Sequence, residues 1–136
     1  MNAQTQAILE QGGVDVNGAL ERFMSSEALL ERFLKRFLQE ESLPALKAAL
    51  DVGDTEAAAG AAHSLKGTSG NLSLTVLFER TTAQLAQLRA GDLAGARQAM
   101  AGVEEAHAAA ADAIRGAWGE GKIPKKKTKA RVGRSP

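Results

Sequence analysis

Gly60-Ala61-Ala62-His63-Ser64-Leu65-Lys66-Gly67-Thr68-Ser69-Gly70-Asn71-Leu72 is the stretch on which the reading of this chain turns. Wound as a helix at about 100° per residue, it places Ala58, Ala61, Ala62, Leu65, Ser69 and Leu72 on one face. His63 falls on nearly the opposite side, together with Gly60, Gly67 and Gly70. Lys66 follows His63 by one turn, close enough to reach whatever the imidazole carries. A glycine inside a helix costs about 1 kcal/mol relative to alanine. Three of them on the solvent side are a poor choice for stability alone. They strip the surface around the histidine and let another protein's backbone come close.

The chemistry of that surface is narrow. A solvated histidine is largely neutral near pH 7, so one ring nitrogen keeps a free lone pair. Such a nitrogen can attack a phosphoryl group and hold it as a labile covalent intermediate. Phosphoryl transfer depends on positioning and compensating charge, and Lys66 supplies one charge. No second nucleophile, base or metal cluster accompanies His63 in the sequence. That points to a carrier which borrows the rest of its active site from partners. His63 as an ordinary exposed histidine is the plain alternative, weakened by the glycines and the lysine around it.

The pattern on either side is helical. Short helices are expected over Asn2–Gln11, broken by Gly12 and Gly13, and over Val16–Met24. A helix capped by Ser25 or Ser26 is expected to run to about Glu41, followed by a break at Ser42–Pro44 and a helix Leu43–Val52 that Gly53 ends. Asp54 or Thr55 opens the central helix. Further helices are expected over Leu74–Ala90 and Asp92–Trp118, separated by Gly91. Leu30, Phe33, Leu34, Phe37 and Leu38 make one apolar stripe. Leu74, Leu77, Phe78, Thr81, Leu85 and Leu88 make a second. Leu93, Ala96, Met100, Val103, His107, Ala110, Ile114 and Trp118 make a third. The three-and-four spacing in each is that of one helical face. Long stripes with short connections predict an all-α antiparallel four-helix bundle preceded by short N-terminal helices. His107, on an apolar stripe, reads as a core or boundary residue rather than a second phosphosite.

Composition agrees and excludes. The 136 residues include no cysteine, no tyrosine, four phenylalanines and one tryptophan. Runs of β-branched and aromatic residues that would make strands are lacking. Residues 1–120 hold all 16 acidic residues and 10 basic ones, whereas 121–136 hold seven basic residues and no acidic one. The expected division is a bundle domain over 1–120 and a disordered basic tail over 121–136. That tail is read as a solvated solubility segment; contact with nucleic acid or an anionic surface and steering of an acidic partner face stay open. No apolar run of about 18 residues exists to cross a membrane, and the polar Met1–Ala7 is no secretory signal. A cytoplasmic protein is expected. No strand leads into a GxxxxGK loop, so no ATP-dependent kinase site is expected.

His63-Ser64-Leu65-Lys66-Gly67-Thr68-Ser69-Gly70-Asn71-Leu72 resembles the signature of histidine-phosphotransfer (HPt) domains of multistep His–Asp phosphorelays. That signature is histidine, two variable residues, lysine, glycine, and another glycine about a turn later. Val14-Asp15-Val16 to Phe23 resembles the opening of such domains, so the likeness spans 12–118. One departure is Ser73, where many members have glycine; here the serine can cap the helix that follows. The resemblance implies that His63 takes a phosphoryl group from an aspartyl phosphate of one receiver domain and passes it to another. It implies that Lys66 steadies the phosphate and that Gly67 leaves room for the partner. The receiver supplies Mg²⁺, so no intrinsic cofactor or metal is expected. A hybrid sensor histidine kinase and response-regulator receivers are the implied partners, with Gly60, Ser64, Gly70, Asn71, Leu29 and Phe33 as candidates for receiver docking. Met1 opens a short chain without a fused receiver or kinase domain, so a separate, monomeric shuttle is expected, with neither membrane nor nucleic acid as a partner. A helical adaptor that uses the same surface without phosphorylation and a basic-tailed nucleic-acid accessory protein are the competing readings.

Overall fold

The computed structural model describes residues 1–118, and the segment read as a basic tail, 121–136, lies outside them. Seven helices make up the regular elements of the described residues: α1 (Ala3–Gln11), α2 (Val16–Arg22), α3 (Glu27–Phe37), α4 (Ser42–Val52), α5 (Thr55–Asn71), α6 (Thr75–Arg89) and α7 (Leu93–Ala117). Side-chain caps explain most of the starts. Asn2, Asp15, Ser26, Asp54 and Asp92 each accept the backbone N–H three residues on, at 2.7, 3.2, 3.2, 3.0 and 2.8 Å. Each satisfies a donor that the first helical turn leaves unpaired. Gly53 and Gly91, with φ of +76° and +78°, turn the chain after α4 and α6.

Two helices end earlier than their sequence suggests. α2 stops at Arg22 because Met24 and Ser25 take left-handed conformations, φ +56° and +62°. α3 stops at Phe37 rather than near Glu41. There the N–H groups of Leu38, Gln39 and Glu40 turn to carbonyls three residues back, at 3.0–3.1 Å. The Glu40 carboxylate then accepts from the N–H and the hydroxyl of Ser42. It thereby closes the start of α4, with Pro44 in the first turn where no N–H is missed.

The middle of the chain packs in sequence, α4 on α5, α5 on α6 and α6 on α7. α7 also touches α4, α3 and α1. At 25 residues it is about 37 Å long and serves as the spine. Phe37, Leu9, Leu30, Leu34, Leu65, Leu77 and Ile114 are among the large side chains sealed between the helices. α1 lies close on α7: a Cβ at Gly12 would overlap Ala113 and the Ala109 carbonyl. Polar ties lock the pairs. Gln84, fully buried, donates to the Ala96 carbonyl at 2.9 Å, and Arg97 donates twice to the Leu50 carbonyl at 3.0 and 2.8 Å.

A long-range link braces the end of α5. Asp15 N–H donates to the Ser73 carbonyl at 2.8 Å, and Thr75 N–H to the Gly13 carbonyl at 2.9 Å. Ser73 itself sits at φ +56°, in the left-handed region that glycine occupies at little cost. α6 begins at a Leu74 N-cap that makes no side-chain capping bond, so Ser73 does not cap it as expected.

Candidate functional site

α5 separates its two faces as its composition requires. Ala58, Ala62, Leu65 and Ser69 are buried against its neighbours. The alanines let α4 and α6 approach closely, so one helix is flanked on both sides. The opposite face carries His63, exposed to solvent. Its helical neighbours above and below are Gly60 and Gly67, both exposed, and a Cβ built on either meets no heavy atom within 4 Å. The histidine therefore stands on a bare strip one side chain wide. Lys66, half-buried, lies one turn further on.

His63, Lys66, Gly67, Gly70 and Asn71 open together into a cleft of about 600 Å³. Its far walls come from Asp15, Gly18 and Arg22 at α2 and from Phe78 on α6. Gly70 differs from the other two glycines. The position its Cβ would take lies 3.1 Å from two carbons of the Phe78 ring. It is a seat for an aromatic side chain, not open surface. The same ring centroid lies 5.9 Å from Lys66 Nζ. Phe78 had the period of the α6 core stripe, yet 36% of it is exposed. It is the site residue that sequence periodicity misassigned. Arg22, which also lines this cleft, carried no signal at all.

Ser64 points elsewhere. Its hydroxyl lies 3.0 Å from that of Ser42, on the α4 side, and it lines neither cleft described here. Phe33 and Phe23 form a tilted pair with centroids 5.3 Å apart, and the Arg36 guanidinium lies 4.9 Å over the Phe33 ring. They line a second cleft of about 650 Å³, which also takes in Thr68, Asn71 and Leu72. Asn71 and Arg22 border both clefts. Leu29, half-buried, is not part of either lining.

The other histidine has a different setting. His107 is half-buried, its ring centroid 4.8 Å from that of Phe37, and its Nε2 has no hydrogen-bond partner. Burial holds its pKa below the usual value; Glu40 pulls it upward and Arg115 adds slightly to the lowering. This is the boundary residue the apolar stripe implied. Among the described residues no group of three or more His, Asp or Glu side chains is placed to hold a metal ion.

A family model, that of the Hpt domain, matches residues 28–113, well over half of the chain. This chain belongs to the Hpt domain family. Neither curated proteins nor solved structures gave a match. The Hpt match covers α3 through most of α7 and with them His63, Lys66 and Gly67. It leaves out α1 and α2, so the stretch 14–23, read as the domain's opening, lies outside it. Membership implies histidine-containing phosphotransfer in a two-component phosphorelay. Among the described residues no helix is long and apolar enough to cross a membrane.

Proposed function

We propose that this Hpt protein carries a phosphoryl group on His63 between receiver domains. A ring nitrogen of His63 attacks the phosphorus of a receiver's aspartyl phosphate. The N–P bond forms, the acyl O–P bond breaks, and the aspartate leaves as carboxylate. The second transfer runs the same step onto another receiver's aspartate. Lys66 offsets the charge on the phosphoryl oxygens, Gly67 and Gly60 admit the partner, and the receiver brings the Mg²⁺. No ATP-binding site is invoked, so the chain is a phosphocarrier and not a kinase.

The observation that carries this reading is the bare strip. His63 is exposed between two glycines with open space above them, and a lysine stands one turn away. Two-residue to three-residue connections at 53–54, 72–74 and 90–92 support a bundle in which α4–α7 run antiparallel. Phe33, at the second cleft, and Leu29, one turn before it, extend the receiver-docking surface, and Asn71 joins the two clefts. A phosphorelay shuttle of this kind works as a cytoplasmic monomer, fed by a hybrid sensor kinase and drained by a response regulator.

The test is direct. A radiolabelled phosphorylated receiver with Mg²⁺ is incubated with wild type and with His63→Gln. An acid-labile, base-stable label on wild type alone is expected. Equal labelling of the variant, or no label on folded wild type across several receivers, overturns the reading and favours a non-phosphorylated adaptor.

A further inference from the structure

Lys66 is the cation of the His63 cleft that stands against an aromatic ring. Among the described residues no carboxylate pairs with it, whereas Lys47, Arg80 and Arg115 each face one. Its ammonium lies instead 5.9 Å from the centroid of the Phe78 ring. An aromatic face attracts a cation without neutralising it. A carboxylate in the same place would compete with the phosphoryl oxygens for that charge. The ring holds the ammonium and leaves it available.

The surroundings of Phe78 fit such a task better than a core position. The ring is partly exposed, at 36%, on the wall of the cleft that His63 and Lys66 share. It lies over Gly70, where a methyl group would press on ring carbons at 3.1 Å. The Thr82 hydroxyl donates to the Phe78 carbonyl at 2.7 Å, and that of Thr81 to the Leu77 carbonyl beside it at 2.8 Å. Glycine at 70 and phenylalanine at 78 are thus one device, a seat and its occupant. Lysine's flexible four-carbon stem gives its ammonium many alternative positions, and the ring restricts them.

We propose that Phe78 is a positioning residue for phosphotransfer: seated on Gly70, it holds the Lys66 ammonium on the His63 side of the cleft. The proposal rests on the phosphocarrier reading and acts through Lys66 rather than by touching the phosphoryl group. Its worth is that of a partly exposed cation–π contact, roughly a two- to fivefold change in rate.

Single-turnover transfer from a phosphorylated receiver to the full chain is measured across receiver concentrations, beside the NMR shifts of the Lys66 ε-methylene. Phe78→Leu is expected to lower the limiting rate roughly two- to fivefold, leave the half-saturating concentration unchanged, and move the ε-methylene shift to that of a free lysine. Gly70→Ala, whose methyl group pushes the ring by a few tenths of an ångström, should move both readouts in the same direction by less. Phe78→Trp should restore both readouts, and Phe78→Leu should add nothing to Lys66→Ala. A limiting rate equal to wild type, a change confined to half-saturation, or an unmoved Lys66 shift overturns the proposal. Wild type that takes no label sinks the carrier reading together with this role. Label on wild type with an unaltered Phe78→Leu rate sinks the role of Phe78 alone.

Discussion

The chain has two histidines, and they show how surroundings divide one side chain between two uses. His63 projects from a helix whose adjoining positions are glycine, with open space above Gly60 and Gly67. His107 rests against Phe37 with an unpartnered Nε2 and a depressed pKa. The first imidazole is accessible to a partner on a bare strip. The second is a packing element whose charge is discouraged. On the phosphocarrier reading, reactivity follows from what neighbours leave uncovered, and the contrast can be broken experimentally. The largest expected effect is on labelling itself. His63→Gln should abolish phosphoryl uptake, whereas His107→Gln should retain it within about twofold, since surface and boundary changes away from a site leave transition-state contacts intact. Label that follows His107 instead would invert the comparison.

The bare strip yields the next effect in size. Gly67→Leu places a strong helix former at an exposed position where a Cβ meets nothing. It should raise stability by about 0.5–1 kcal/mol. The same side chain stands where the proposed receiver would approach, and a displacement of the reacting groups by about 1 Å costs on the order of 10²-fold in rate. A thermal melt and a transfer assay on one sample separate these: the melting temperature rises while transfer falls. A variant that transfers normally shows that Gly67 does not provide partner clearance.

Much of this was legible in the sequence, for a physical reason. A helix in a bundle has an inside and an outside, and the wheel at 60–72 sorted Ala62, Leu65 and Ser69 from His63, Gly60 and Gly67 as the structure does. Stripes on α3 and α7 likewise point inward. Phe78 defeats the same reasoning because periodicity gives a direction but not the point at which the neighbouring helix ends. It shares the side of Leu77 and Thr81, yet it emerges beside Gly70 rather than beneath it. The early end of α3 was hidden for another reason. It depends on Glu40 turning to Ser42, a side-chain competition with the helix that propensity does not register. The brace between residues 13–15 and 73–75 is a contact between distant segments, and no local pattern announces it.

His107 supplies a smaller effect with a defined sign. Its pKa is lowered in the folded chain from 6.5, chiefly by burial. The unfolded chain therefore binds the proton more readily, so stability is full above about pH 6.5 and falls as pH drops through the native value. His107→Leu removes the titrating group and with it the opposing pull of Glu40 and the further lowering by Arg115. The loss of melting temperature between pH 7.5 and 5.5 should be smaller in His107→Leu than in wild type. An equal pH response in His107→Leu and wild type would return the acid sensitivity to carboxylates elsewhere.

The smallest effect tests whether the site helix is braced at a cost. Ser73 holds φ +56° between two backbone bonds that join the turn after α5 to the segment 13–15. A left-handed conformation costs a non-glycine residue about 1–2 kcal/mol. Glycine removes that cost but returns roughly 0.4–1 kcal/mol through its freer unfolded chain. No capping bond to α6 is lost, because its N-cap Leu74 has none from a side chain. Ser73→Gly should therefore stabilise the protein by about 0.5–1 kcal/mol, a rise of roughly 2–5 °C in Tm. Ser73 lines the far end of the same cleft as His63, but it lies more than two turns from it along α5, so phosphotransfer should change little. If transfer changes with stability, the turn is coupled to the His63 strip and the outer face of α5 is not as independent of its supports as the two histidines suggest.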